Sequence, residues 1–271
     1  KINKSITERD YQHRAIRRIS ESFENKKRKA LLVMATGTGK TRTVISLCDL
    51  LIRGNWVKRI LFLADRTALV NQAEKAFKAH LPNCNPVNLV TNKAGEGRVF
   101  LSTYPTISNL IDSENKSGQK RFGVGHFDLV IIDEAHRSIY QKYTSIFDYF
   151  DSLLVGLTAT PKEEIDRNTY GLFDLDIGMP TDEYGFVEAV EDNWLNPFKA
   201  LSVPLHFVRE GIRYNELSEE EKAEWDLMEW QEEHEPPNQV SSGALNKWLF
   251  NKDTVDKVLE HLWTKGQRAE D

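Results

Sequence analysis

Ala30-Leu31-Leu32-Val33-Met34-Ala35-Thr36-Gly37-Thr38-Gly39-Lys40-Thr41 decides how the rest of the chain is read. The apolar run 30–34 is too short for a helix and ends at Gly37 and Gly39, so it reads as a buried strand entering a turn. From 40 to 53 helical periodicity resumes through Val44, Leu47, Leu50 and Leu51. Strand, glycine loop and helix in that order make a phosphate cradle. The glycines let backbone approach closely, and free N–H groups at the helix start attract negative charge. In such a loop Lys40 reaches β- and γ-phosphates and the Thr41 hydroxyl ligates Mg²⁺. The general P-loop pattern asks for glycine where Met34 stands, so the match is one residue short.

Outward from this loop the alternation continues. Residues 7–25 read as a helix with Thr7 as N-cap and Tyr11, Ala15, Ile19 and Phe23 on one face. Apolar runs predict strands over 59–64, 87–90, 99–102, 128–132 and 153–157. Helices are expected over 66–80 and 104–110, and a polar surface loop over 112–125. Strands without in/out alternation, spaced by helices, imply an α/β fold: a parallel sheet with helices on both faces. The pattern fades after 165. Strands are expected within 198–208. An acidic helix opened by Ser218 and Glu221 must end before Pro236-Pro237, and a last amphipathic helix is expected over 252–264. The organisation read here is an ATP-binding lobe over 1–165, a mixed, partly helical extension over 166–250, and the start of a further lobe over 251–271.

The 271 residues are 40% hydrophobic and 28% charged, a globular composition that excludes collagen-like and largely disordered chains. No apolar run has the length of a membrane span, so no membrane partner is expected. Two cysteines, Cys48 and Cys84, make no disulfide framework or zinc cluster, and a reducing, cytoplasmic setting follows. The net charge of −5 divides into +13 over residues 1–125 and −18 over 126–271. The basic half suits a phosphate-bearing partner, and the acidic half argues against a coat of nucleic acid over the whole surface. The 11 acidic residues between 210 and 235 read as a solvated helix face. The start at Lys1-Ile2-Asn3-Lys4 has neither Met nor a signal peptide, and the chain is read as a piece of a longer one.

Two further strand ends carry chemistry. Asp133-Glu134-Ala135-His136 follows the strand 128–132. A carboxylate at a strand's C-terminal edge beside a P-loop supplies the oxygen that Mg²⁺ needs, and a neighbouring one can orient and deprotonate a water. Gly156-Leu157-Thr158-Ala159-Thr160-Pro161 follows the next strand, where small hydroxyl residues can bridge a nucleotide and a second ligand.

Together these residues resemble the superfamily 2 helicases and translocases. Met34–Thr41 is similar to their motif I, Asp133–His136 to the DEAH form of motif II, and Thr158-Ala159-Thr160 to motif III. Arg9-Asp10-Tyr11-Gln12 is similar to the element whose glutamine reads adenine. Phe62–Gln72, with Asp65-Arg66-Thr67 at its centre, resembles motif Ia of the motor subunit of type I restriction enzymes. Val99–Thr106 and Tyr184–Asp192 resemble further segments of that subunit, so the likeness covers roughly 7–200.

The resemblance implies the first RecA-like motor lobe of an ATP-dependent translocase on double-stranded DNA. It implies ATP and Mg²⁺ as cofactors, and the specificity and modification subunits of a restriction complex as partners. Arg9, Gln12, Thr36, Gly37, Thr38, Gly39, Lys40 and Thr41 would bind nucleotide, with Thr41 and Asp133 on the metal. Lys40, Asp133, Glu134 and His136 would be catalytic, Glu134 activating water. His136, Thr158 and Thr160 would couple nucleotide state to DNA, whose backbone Arg66, Thr67 and Thr103 would touch. The family's second lobe, with its arginine finger, and its nuclease domain are not recognisable here. A stand-alone superfamily 2 DNA or RNA helicase is the alternative. A scaffold that has lost catalysis is disfavoured by intact Lys40, Asp133 and Glu134. A P-loop kinase would leave Asp65–Thr67, Asp133–His136 and Thr158–Thr160 unexplained.

Overall fold

A computed structural model describes residues 1–113, 120–135, 143–160, 162, 165, 167–198, 212–216, 222, 239–240 and 263. His136 lies outside them, as do the elements expected over 198–208, 218–235 and 252–264 but for single residues. The chain divides into two compact units, Lys1–Pro197 and Phe198–Asp271. In the second unit the described pairing is an antiparallel bridge of Ile212–Arg213 with Gln239–Val240.

The first unit is built on seven strands: β1 (Lys29–Met34), β2 (Ile60–Ala64), β3 (Pro86–Asn88), β4 (Val99–Thr103), β5 (Leu129–Ile132), β6 (Leu153–Thr158) and β7 (Asp182–Tyr184). They form one sheet in the order β3-β4-β2-β5-β6-β1-β7, and every pairing is parallel. The helices are α1 (Asp10–Glu24), α2 (Lys40–Arg53), α3 (Thr67–His80), α4 (Tyr104–Asp112), α5 (Thr144–Tyr149), α6 (Arg167–Leu172) and α7 (Phe186–Glu191).

The strands read as unbroken apolar runs because both faces are covered. Ala30, Leu32 and Met34 of β1 join Ile60, Phe62 and Ala64 of β2 in a core that includes residues of α1, α2 and α3. Leu31, Val33, Leu61, Leu63, Val130 and Ile132 point into a second core with Tyr104, Ile107, Ile146, Tyr170 and Phe173. Alternate side chains therefore enter different cores, and each fully buried Leu or Ile contributes about 1.5–3 kcal/mol of transfer free energy. Gly156 in β6 leaves room for Phe173, whose ring carbon would lie 2.3 Å from a Cβ placed there.

Two expectations change. Thr7 does not cap α1: the helix starts at Asp10, Arg9 holds the N-cap position, and no side chain caps it. The Thr7 hydroxyl instead donates to Ser46 Oγ at 3.0 Å, tying the entry of α1 to α2. The sheet also runs past residue 165, because Asp182-Glu183-Tyr184 adds a parallel edge strand to β1. Its Asp182 is buried, with Arg14 Nε and Arg18 Nη1 at 3.3 and 2.7 Å.

Candidate nucleotide site

Parallel pairing brings the C-terminal ends of β1, β2, β4, β5 and β6 to one edge of the sheet, where open α/β sheets bind ligands. Met34, the final residue of β1, is wholly buried in the core, which is why a long side chain stands where the P-loop pattern asks for glycine. The turn is made further on. Gly37 and Gly39 have φ of +87° and +89°, and Gly39 is the N-cap of α2. A Cβ on Gly39 would lie 2.7 Å from Gln12 Nε2, the movable end of a side chain, so it is the positive φ that favours glycine there. Thr38 is buried, and its hydroxyl donates to Ala35 O at 2.6 Å. The Thr38 carbonyl accepts from Tyr11 Oη at 2.8 Å and Gln12 Nε2 at 3.2 Å. The loop is thereby held from below by α1. No acidic residue stands in the first turn of α2, so its N-terminal N–H groups face the cleft without a competing carboxylate on that turn.

A cleft of about 480 Å³ opens beside this loop. From the loop and α2 come Thr36, Gly37, Gly39, Lys40 and Thr41; from the end of β5 come Asp133 and Glu134. Lys40 Nζ donates to Met34 O at 3.3 Å. Burial lowers its pKa, while the charges of Glu134 and Asp133 oppose that shift. Asp133 is pushed up to about 6 by burial and by Glu134, against the pull of Lys40, and Asp65 at the end of β2 pushes the same way. One ammonium facing two carboxylates leaves that end of the cleft short of positive charge, the condition a divalent cation relieves. A hydroxyl and a carboxylate in one cleft are also the hard oxygen donors that Mg²⁺ takes. Glu134 holds φ at +53°, a left-handed conformation uncommon for a non-glycine residue, at the carboxylate next to Asp133.

The far wall comes from α3, through Leu69, Gln72, Ala73, Ala76 and His80. Leu69 and Gln72 fall within the stretch that resembles motif Ia, while Ala73, Ala76 and His80 carry no pattern, because their place depends on how α3 packs against α2. Arg42 completes that side and lowers the pKa of His80, after burial.

Other residues expected at the site stand around the cleft rather than in it. Arg9 and Gln12 do not line it. Arg9 lies over the Trp194 ring, its Cζ 4.2 Å from the centroid, and donates to Tyr11 Oη at 2.7 Å. Tyr11 stacks on Tyr184 with centroids 3.7 Å apart, and Leu195 packs over Gly37. The stretch after β7 thus lies against the loop, a contact with no local signal in the sequence. Thr158 is buried at the end of β6, its hydroxyl accepting from Thr160 N at 3.1 Å. Arg66 and Thr67, at the start of α3, are exposed, and Arg66 pairs with Asp65 at 3.2 Å. Thr103, beside Ala64 in register, is only 8% exposed, with its hydroxyl hydrogen bonded to that of Thr106 at 3.0 Å.

The family described as type III restriction enzyme, res subunit, matches residues 5–163, and the chain belongs to that family. The endonuclease subunit of the type I restriction enzyme EcoAI of Escherichia coli is 35% identical over 211 residues, which are 76% of this chain and 25% of that protein. The EcoKI endonuclease subunit of Escherichia coli strain K12 is 32% identical over 212 residues, 69% of this chain and 17% of the relative. The chain therefore spans about a quarter or less of these relatives. A solved fragment from Vibrio vulnificus YJ016, described as an HsdR subunit of a type I restriction enzyme, superposes with a TM-score of 0.51 at 29% identity. It covers 67% of this chain and 31% of that one. The RecA-like α/β fold read from the sequence is the one observed. Among the described residues no helix is long and apolar enough to cross a membrane.

Proposed function

We propose that this chain is the first motor lobe of an ATP-dependent double-stranded DNA translocase in a type I restriction enzyme, acting in the cytoplasm beside specificity and modification subunits. The observation that carries this reading is one cleft, at the N-terminus of α2, where Lys40 and Thr41 from one strand end meet Asp133 and Glu134 from another. The 35% identity to a type I endonuclease subunit supports the restriction context.

In this reading the backbone N–H groups over 37–41 and the Lys40 ammonium hold and neutralise the β- and γ-phosphates. Thr41 and Asp133 would hold Mg²⁺, which supplies positive charge to the phosphate oxygens when bound. Glu134 orients a water and takes its proton. Arg9 and Gln12 work from the α1 side of the loop, toward the adenine. Thr158 and Thr160, with His136, pass nucleotide state to DNA. Arg66, Thr67 and Thr103 lie along the same sheet edge, where sequence-independent backbone contacts suit a motor that crosses any sequence. Of these three, Arg66 and Thr67 offer the open surface.

The test is Glu134→Gln in the restriction subunit that carries this lobe. Calorimetry should find Mg-ATP binding retained, while DNA-stimulated hydrolysis falls ~10²–10⁴-fold, the usual contribution of a positioned base. Undiminished turnover would remove Glu134 from the reaction.

A further inference from the structure

The opposite, N-terminal edge of the same sheet holds a second cleft, of about 420 Å³, lined by Arg59, Gly95, Gly97, Arg121, Phe122 and His126 among others. Arg59 stands directly before β2, Gly97 two residues before β4 and His126 three before β5, so three strand entries converge there. Arg59 Nη1 donates to His126 Nδ1 at 3.0 Å. The neutral ring therefore carries its proton on Nε2, and that N–H is buried with no acceptor among the described residues. Arg121 lies over Phe122, its Cζ 4.8 Å from the centroid, and donates from Nη2 to Gly95 O at 2.9 Å.

Each guanidinium thus has one described hydrogen bond to a neutral group, and most of its donors have no described acceptor. Glu96 is the carboxylate whose charge acts on Arg121. Asp128 acts on His126, but its Oδ2 already accepts Lys58 N and Arg59 N, each at 2.8 Å. Burial and both arginines hold the His126 pKa down, ahead of the opposing pull of Asp128. The ring sits in positive potential.

We infer that this cleft is a second anion site, separate from the nucleotide site, taking a phosphate group between the Arg59 and Arg121 guanidinium groups and the His126 ring. Two planar forks match tetrahedral phosphate oxygens in a way that lysines do not. The Nε2–H is buried from the cleft, which makes the His126 ring a reporter of a bound anion rather than a third donor to it. The phosphate is either free, as inorganic phosphate or a phosphomonoester, or part of a nucleic-acid backbone. The inference does not depend on the reading of the first cleft.

The experiment follows the His126 ring nitrogens by NMR in the Lys40→Ala chain, where phosphate binding at the nucleotide loop is weakened, during titration with inorganic phosphate. A saturable shift at His126 is expected, with affinity reduced roughly tenfold or more in Arg59→Gln and partly restored in Arg59→Lys. Arg59 is exposed, so its substitution leaves the packing over Phe122 intact. Linear, unsaturated shifts, or equal affinity in Arg59→Gln, would overturn the site. With saturation established, a short duplex that displaces phosphate from His126 assigns the site to a backbone phosphate. An unchanged phosphate affinity in excess duplex assigns it to a free phosphoryl compound. Either result keeps the site.

Discussion

At the C-terminal edge of the sheet a single ammonium, Lys40, stands against Asp133 and Glu134 beside a row of backbone N–H groups. At the N-terminal edge two guanidinium groups and an imidazole converge, with Glu96 in the same lining and Asp128 held by backbone. Both arrangements suit phosphate, and they differ in the sign of what is left over. Around Lys40 the first has a local surplus of negative charge, with Arg42 on the wall shared with α3, and on the proposed reading it would accept a phosphate together with a divalent cation. The second has surplus positive charge and, on the inference above, would accept the phosphate alone. The balance of fixed charge, rather than the presence of a basic residue, separates a site that can do metal-assisted phosphoryl chemistry from one that can only bind.

Lys40→Ala separates the two edges most widely. Losing a charge-assisted contact to phosphate costs ~1.5–3 kcal/mol, so Mg-ATP affinity should fall roughly 10–100-fold by calorimetry. Inorganic phosphate should still reach His126 with unchanged affinity. Loss at both edges would mean that the clefts are coupled, and the comparison would fail.

Gly156→Ala tests the sheet that joins them. The new Cβ would meet the buried ring of Phe173, and overpacking of this kind costs about 1–3 kcal/mol. The urea midpoint should drop accordingly, while both ligand affinities measured on the folded protein stay level. A change at one edge alone would show that β6 transmits strain selectively.

Much of this was legible in the sequence, for a physical reason. β1, β2, β4, β5 and β6 appear within one residue of their predicted bounds, because strands buried on both faces are unbroken apolar runs. The helix predicted over 40–53 is α2 to the residue. β7 was illegible: it is three residues long, and its buried Asp182 is tolerated only because Arg14 and Arg18, far away in sequence, neutralise it. In the first cleft the residues on single strand ends could be read from adjacency. The α3 wall and the Trp194–Arg9 contact could not, since both arise from packing between distant segments. The second cleft had no motif at all, for Arg59, Arg121 and His126 meet only when three strand entries are brought together.

The carboxylate surplus at the first edge predicts a pH signature that the second edge lacks. Asp133 is raised from 3.8 to about 6, chiefly by burial. Between those values the native state binds more protons than the unfolded chain, so stability falls as pH rises through the window. On the proposed reading metal binding would have the opposite sign, because the proton would compete with Mg²⁺ for the same oxygen. Mg-dependent nucleotide affinity should rise by up to ~tenfold per pH unit toward about 6 and level off above it, which is at most ~1.4 kcal/mol per unit. Titrations at about pH 5 and about pH 7 measure this, and Asp133→Asn should flatten the profile. A slope that survives in Asp133→Asn would place the titrating group elsewhere.

Arg66 carries the smallest effect and the most direct challenge to the assignment of edges. Its side chain is exposed at the C-terminal edge and paired with Asp65, whose side chain is only 7% exposed. Asp65 already takes Arg66 Nε and Nη2 and offsets its charge, so a DNA phosphate meeting the remaining Nη1 donors gains little. Arg66→Ala should weaken duplex binding by less than ~1 kcal/mol, the scale of an exposed ion pair. The loss should be equal for all sequences. The slope of log affinity against log salt should become shallower by about 1, since one fewer phosphate is neutralised. Fluorescence anisotropy at several salt concentrations reads both quantities. If Arg59→Ala lowers duplex affinity and the salt slope more than Arg66→Ala does, the DNA backbone lies along the N-terminal edge. The two edges would then exchange roles, with the guanidinium pair as the track and the Asp65–Arg66 pair as a structural tie at the start of α3.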